Sequence, residues 1–127
     1  MTFDWTEYLK LAQELAGQAT NPANEEAKLR SSISRAYYAA FCKARNHLRD
    51  IDGDSIPRSD VHAYVCNKFK LSTDKSRVAI GNELDRQRVR RNKADYDDSV
   101  TRLSLMAKMA KMSLKSTQDI IYMLSSL

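Results

Sequence analysis

The sequence predicts an all-α protein, an antiparallel up-and-down four-helix bundle with one short extra helix. Apolar residues recur three or four positions apart in five stretches, and no stretch sustains the two-residue alternation of a strand. Only three glycines and two prolines interrupt the chain. Its 127 residues, 43% of them hydrophobic, suffice for one domain with a core, and we assign residues 1–127 to that domain.

The first two predicted helices begin at capping residues. The first covers Asp4–Gly17, and its opening aspartate serves as the N-cap. The second covers Asn21–Asp50. Pro22 lies in its first turn, where the missing N–H costs nothing, and Glu25 and Glu26 lie near the positive end of the helix dipole.

The second helix is apolar over much of its circumference. Two adjoining stripes run along it, so we expect it to be covered on two sides. The first stripe consists of Leu29, Ile33, Ala36, Tyr37, Ala40, Ala44 and Leu48, and the second of Ser34, Tyr38, Phe41 and Arg45.

Loops and caps delimit three more helices. Ile51–Pro57 is the clearest loop, and Ser59 or Asp60 caps a short helix after it. Ser72–Asp74 opens the fourth helix, and Asp97–Ser99 caps the last helix, which extends toward the end of the sequence. The inner stripe of the fourth helix turns from apolar to cationic along its length: Ile80, Leu84, Gln87, Arg88, Arg91 and Ala94.

The last helix also carries two apolar stripes. The first consists of Leu103, Met106, Ala110, Leu114, Thr117, Ile121 and Leu124, and the second of Leu105, Met109, Met112, Ile120 and Met123. A bundle this small leaves one side of its final helix uncovered, so the second stripe predicts a homodimer, most simply a two-fold one. The alternative is that the first or third helix covers this stripe.

The net charge of +5 arises in one segment of the chain. Residues 86–93 hold five cations and no acid, while the remainder has 16 basic and 16 acidic residues. Any preference for a polyanion is therefore expected in this segment.

Several kinds of site and location are disfavoured. The N-terminal residues do not resemble a secretory signal and no apolar run approaches the roughly 18 residues of a membrane span, so we expect a cytoplasmic protein without membrane contact. Cys42 and Cys66 lie on different predicted helices, which favours two reduced, buried, small apolar residues. Neither His47 nor His62 has a carboxylate or cysteine at metal-ligand spacing. We therefore predict no metal site and no cofactor.

Two explanations compete for the arginine cluster. Arg86, Arg90 and Lys93 suit a solvated helix end, where cations interact with the helix dipole and with acidic residues one turn earlier. Arg91 lies on the inner stripe, where a guanidinium must be paired or must face a cleft. A buried pair with Asp95, four residues on, and an arginine that binds phosphate at the rim of a dimer cleft are both open.

Three segments together resemble a known family. They are Ser-Arg-Ala-Tyr-Tyr-Ala-Ala-Phe-Cys-Lys-Ala-Arg at 34–45, His62 ahead of Val65 and Phe69, and Arg-Asn-Lys-Ala-Asp-Tyr-Asp at 91–97. In combination these segments resemble the HEPN (higher eukaryotes and prokaryotes nucleotide-binding) domain family over about residues 5–125. The resemblance implies an antiparallel four-helix bundle with a short extra helix, which commonly dimerises with its arginine motif facing the cleft.

Many HEPN proteins are metal-independent endoribonucleases, often toxins paired with a small nucleotidyltransferase-like antitoxin. Their active pattern is an arginine, usually a polar residue, and a histidine four to six positions after the arginine. Arg91 and Asn92 match its beginning, but the fifth position after the arginine is Tyr96, and no histidine follows His62. An unperturbed phenol has a pKa near 10, against about 6.5 for histidine, so the tyrosine is a poor substitute as acid or base.

The resemblance therefore predicts an RNA- or nucleotide-directed binding protein, one component of a toxin-antitoxin or defence-type module with a nucleotidyltransferase-like partner. The candidate binding residues are Arg88, Arg91, Asn92 and Asp95, and the candidate catalytic residues are Arg91 and Tyr96. One alternative is an active endoribonuclease that uses Arg91 with Tyr96 or His62. The other is a non-catalytic dimerisation module.

Overall fold

The computed structural model describes residue 11, residues 14–15, residues 22–99 and residues 102–127. Every regular element in this part of the chain is a helix and none is a strand, which confirms the all-α prediction for it. The helices are α1 (Glu25–Asp50), α2 (Val61–Lys70), α3 (Lys75–Tyr96) and α4 (Leu103–Ser125). None of them combines the length and the apolar composition needed to cross a bilayer. The helix predicted over Asp4–Gly17 lies largely outside the described residues.

Helix α1 begins later than the sequence indicates. The side chain of Asn24 accepts a hydrogen bond from the backbone N–H of Ala27 at 2.9 Å and so caps the helix. Pro22 therefore precedes α1, and its predicted place in the first turn is wrong. Glu25 and Glu26 do occupy the first turn, as predicted.

The caps of the other helices follow the prediction unevenly. Asp74 caps α3 by accepting bonds from two backbone N–H groups, as expected. Asp60 stands at the N-cap position of α2 but makes no side-chain cap bond. The predicted cap of the last helix at Asp97–Ser99 is wrong. The backbone N–H of Asp97 instead donates to the carbonyl of Lys93 and closes α3.

Helix α1 lies at the centre of the fold and contacts α2, α3 and α4. Its first predicted stripe is buried from Ile33 to Leu48, which confirms that face as core. The largest fully buried apolar side chains, apart from those two, come from all three neighbouring helices: Phe69, Ile80, Leu84, Met106 and Ile120.

A buried polar network joins α1, α3 and α4. Thr117 donates its hydroxyl to the carbonyl of Ala36 at 2.7 Å, and the side-chain amide of Gln87 donates to the Thr117 hydroxyl at 2.9 Å. This network turns the Thr117 face of α4 inward. The predicted division of α4 into a core stripe and an uncovered stripe is therefore wrong in part: Ile120 of the second stripe is fully buried, while Leu114 of the first is 49% exposed.

Helices α2 and α3 approach each other closely at a glycine. A Cβ atom on Gly81 would lie 2.8 Å from the Cγ of Lys70 and 3.0 Å from the backbone carbonyl oxygen of Cys66. A larger side chain would force the two helices apart. This contact fixes which residues of α2 and α3 face each other in the next turn.

The most unusual core residue is Arg30, whose side chain is fully buried. Its Nη1 donates to the carbonyl oxygen of Ala94 at 2.8 Å, and its Nε donates to Glu26 at 2.9 Å. Carbonyls in the last turn of a helix lack intrahelical partners, so this guanidinium satisfies one of them from a different helix. The bond thereby holds the C-terminal end of α3 against the first turns of α1.

We expect Arg30→Met to lower the free energy of unfolding by about 3–5 kcal/mol, because it removes one member of a buried charged network. Urea unfolding followed by circular dichroism measures this change. Arg35→Met is the matched control, since Arg35 lies on the same helix and is exposed. Its effect should stay within about 0.5 kcal/mol. Similar small losses in both variants would contradict a clamping role for Arg30.

Candidate functional site

The residues singled out by the sequence lie in the last turns of α3. Arg91 and Asp95 are partly buried, whereas Arg88, Asn92 and Tyr96 are exposed. The placement of Arg88 on the buried inner stripe is wrong, since the adjacent Gln87 takes the inward position. All five residues nevertheless belong to the segment that Arg30 holds against α1.

Arg91 is fixed by hydrogen bonds and an ion pair. Its Nε lies 2.7 Å from Oδ2 of Asp95, and each of these two side chains is 17% exposed. Its Nη2 donates to the hydroxyl of Tyr38 at 2.6 Å, and its Nη1 donates to the side-chain oxygen of Asn92 at 3.0 Å. The pair with Asp95 that the sequence left open is therefore present, and the arginine also reaches across to α1.

Three tyrosine rings surround the Arg91 guanidinium. Its Cζ lies 5.1 Å from the ring centroid of Tyr38, 5.5 Å from that of Tyr96 and 5.9 Å from that of Tyr37. These distances fall within the range of cation–π attraction. Tyr37 is buried core, as the sequence suggested, but Tyr38 is 43% exposed and belongs to the site. The second stripe of α1 is accordingly covered only in part.

Helix α1 also positions the carboxylate of Asp95, which lies on α3 and pairs with Arg91. The hydroxyl of Ser34 donates to Oδ2 of Asp95 at 3.2 Å. Ser34 and Tyr38 are four residues apart and lie on the same face of the helix. Two adjacent turns of α1 therefore position the two members of the Arg91–Asp95 pair.

His62 lies next to this group, on α2. Its Nδ1 is 2.6 Å from the hydroxyl oxygen of Tyr37, and its ring stacks on Phe41 with centroids 5.9 Å apart. Its Nε2 is 3.2 Å from Oδ1 of Asp85 and 3.2 Å from Sγ of Cys66. The prediction that His62 has no carboxylate or cysteine at metal-ligand spacing is therefore wrong. Four residues separate His62 from Cys66, which places them one helical turn apart, and Asp85 arrives from a different helix.

Burial and nearby cations determine the protonation of these groups. Burial, reinforced by the charges of Arg88, Lys70 and Arg91, lowers the pKa of His62 to about 4. Burial raises the pKa of Tyr37 to about 12 and that of Cys66 to about 11. At neutral pH the site thus holds a neutral imidazole, a phenol and a thiol.

Two other cations of the basic segment, Arg86 and Arg90, point away from this group. Arg86 forms an exposed ion pair with Glu83, as expected for a solvated helix face. Arg90 donates from Nε to the hydroxyl of Ser113 at 3.0 Å and so joins α3 to α4. Arg91 is therefore distinguished from both by its aromatic surroundings.

Comparison of the chain with models of protein families, with curated proteins and with solved structures finds no match.

Proposed function

We propose that the chain is a HEPN-type binding protein that holds RNA or a nucleotide at the end of α3, with Arg91 as the phosphate-binding residue. The observation that carries this proposal is the guanidinium fixed between Tyr38 and Tyr96, both of which are exposed. The family, a two-component toxin-antitoxin or defence-type role, and a nucleotidyltransferase-like partner are inferred from the resemblance alone.

The surroundings of Arg91 suit a nucleic acid for two physical reasons. A guanidinium presents planar N–H donors that match phosphate oxygens, and its hydrogen bonds to charged acceptors are strong. Aromatic faces beside it allow a base to stack, which tolerates any sequence. Arg88 and Asn92 are exposed on the same turns of the helix and extend the polar surface.

Binding is favoured over cleavage by the acid–base properties of the site. In metal-independent RNA cleavage, the ribose 2′-hydroxyl attacks the adjacent phosphate. This step needs one group to accept the hydroxyl proton and another to protonate the leaving oxygen, and Arg91 supplies only charge. A phenol stands where the family pattern has a histidine, and the Tyr96 side chain is 67% exposed. His62 is largely buried and hydrogen-bonded to Tyr37, and with its pKa lowered to about 4 it is not an imidazolium at neutral pH and so is a poor general acid.

We expect Arg91→Gln to weaken binding of mixed-sequence single-stranded RNA about 10- to 100-fold, because a charge-assisted phosphate contact is lost. Fluorescence anisotropy at fixed salt measures the change. Arg86→Gln is the control, an exposed arginine on the same helix, and should have little effect. Tyr96→Ala, at an exposed position, tests the stacking face without disturbing the core. Equal weakening by Arg91→Gln and Arg86→Gln would indicate diffuse electrostatics and contradict the assignment.

In a chelator, we expect the isolated protein to cleave RNA slowly or not at all, and Tyr96→His to increase cleavage. A positioned acid or base contributes about 10²- to 10⁴-fold to rate, which sets the range of the increase. Gel analysis of mixed RNA substrates with wild type, Tyr96→His and Tyr96→Phe measures it. Robust cleavage by wild type that Tyr96→Phe abolishes would support the endoribonuclease alternative instead.

The proposal includes an up-and-down arrangement of the helices and a homodimer. Support for the dimer comes from the apolar side chains that α4 leaves at the surface: Leu105 and Met112 are 47% and 49% exposed, and they lie seven residues apart on one face. An apolar face of this kind is typical of a surface that pairs with a second copy.

We expect sedimentation to show a dimer at tens of micromolar, and Leu105→Lys combined with Met112→Glu to yield a monomer. Both positions are exposed, so the charges disturb an interface without entering the core. Leu71→Glu is the control, since Leu71 is 84% exposed at the end of α2. A monomeric wild type would contradict the dimer, and dimerisation without RNA binding would favour the dimerisation-module alternative.

A further inference from the structure

Three metal-binding types of side chain converge where α2 faces α3. His62, Cys66 and Asp85 each direct one ligand atom to the same place, and all of these atoms lie within 4.8 Å of one another. His62 Nε2 is 3.2 Å from the Cys66 sulfur and 3.2 Å from the nearer Asp85 oxygen. We propose that these three residues bind one divalent transition-metal ion of the zinc class and leave a fourth coordination position open.

The fold builds this arrangement from two rigid helices. His62 and Cys66 are four residues apart on α2, so their side chains project from one face in consecutive turns. Asp85 lies one turn beyond Gly81 on the same face of α3. The absence of a Cβ at Gly81 lets α3 approach the Cys66 carbonyl within contact distance, which brings the carboxylate up to the other two groups.

Tyr37 supplies the partner that orients the histidine. A metal-bound imidazole donates its other ring N–H to an acceptor, which fixes both tautomer and ring direction. The Tyr37 hydroxyl oxygen, 2.6 Å from Nδ1, is that acceptor. Nε2 then offers its lone pair toward Cys66 and Asp85. The ring is also held on its face by stacking against Phe41.

The set of donor atoms selects the class of metal. One imidazole nitrogen, one thiolate sulfur and one carboxylate oxygen suit zinc and related transition metals, whereas magnesium and calcium require oxygen ligands. Three protein ligands leave one tetrahedral position for water or another small ligand. Asp85 is the most exposed of the three ligand side chains, at 39%. A metal ion therefore reaches the site from solvent past this carboxylate.

In the proposed site, metal binding releases the proton of the Cys66 thiol and displaces Lys70 from Asp85. Once this proton is lost, the charges of one thiolate and one carboxylate balance those of a dipositive ion, so the occupied site is formally neutral. In the metal-free protein Lys70 forms an ion pair with Asp85 and supplies the cation there. This lysine competes with the metal, and Arg88, whose charge acts on both His62 and Cys66, opposes it as well. Removal of the lysine charge should therefore tighten binding.

Titration of the chelator-treated full chain with Co²⁺ tests the site, since Co²⁺ reports its own ligands by absorption. We expect one equivalent to give the strong visible bands of tetrahedral coordination and a near-ultraviolet thiolate-to-metal band, and Zn²⁺ to remove both. Cys66→Ser should abolish the thiolate band. The matched control, Cys42→Ser, lies on α1 outside the cluster and should retain it.

Two further variants test the geometry apart from folding. Tyr37→Phe should weaken Co²⁺ binding about 10- to 100-fold, the usual effect of losing the partner of a ligating histidine. Lys70→Met should tighten binding, a gain that an unfolded variant cannot produce. The weak spectrum of octahedral Co²⁺ in the wild type, loss of the thiolate band in both cysteine variants, or no gain in Lys70→Met would overturn the proposal. The RNA-binding proposal is tested separately, because its variants are at Arg91 and Tyr96, which lie outside the cluster of His62, Cys66 and Asp85.

Discussion

The bond from the buried guanidinium of Arg30 to the carbonyl of Ala94 governs where the end of α3 lies relative to α1. A charged group enters a core at a cost unless hydrogen bonds compensate it, and here the helix terminus itself provides an acceptor. Arg91 and Asp95 occupy the turn that contains this carbonyl. A shift of α3 along α1 by one residue would separate them from Tyr38 and Ser34, so the position of the site depends on the same bond.

The adjacent tyrosines of α1 serve two different groups of residues. Successive residues on a helix point about 100° apart, so Tyr38 faces the arginine of α3 while Tyr37 faces the histidine of α2. Neither role requires a loop or a separate structural element. Helix α1 thus positions both the residues around Arg91 and the residues around His62. This explains how so short a chain places two sets of polar groups beside its core.

The sequence predicts the helices well and the polar contacts less well. Helical periodicity identifies α1 and its buried face because that signal is local. The burial of Ser113 and Ser116 in α4 does not follow from an apolar pattern, since their hydroxyls are hydrogen-bonded to Arg90 and Glu83 of α3. The His62–Cys66 spacing is visible in the sequence as one helical turn. The arrival of Asp85 depends on the close approach at Gly81, which no local pattern reveals.

Tyr37 lies between the two groups of residues and limits how strongly they can influence each other. Burial raises its pKa to about 12, so it stays a neutral phenol and carries no charge from one group to the other. Its hydroxyl responds to the tautomer of His62, whereas Arg91 meets its ring, whose electrostatic character does not depend on where the hydroxyl proton points. The main coupling between the two groups is therefore direct electrostatic repulsion between the arginines of α3 and the metal ion proposed beside His62. Salt weakens this repulsion only to the extent that the site is exposed to solvent.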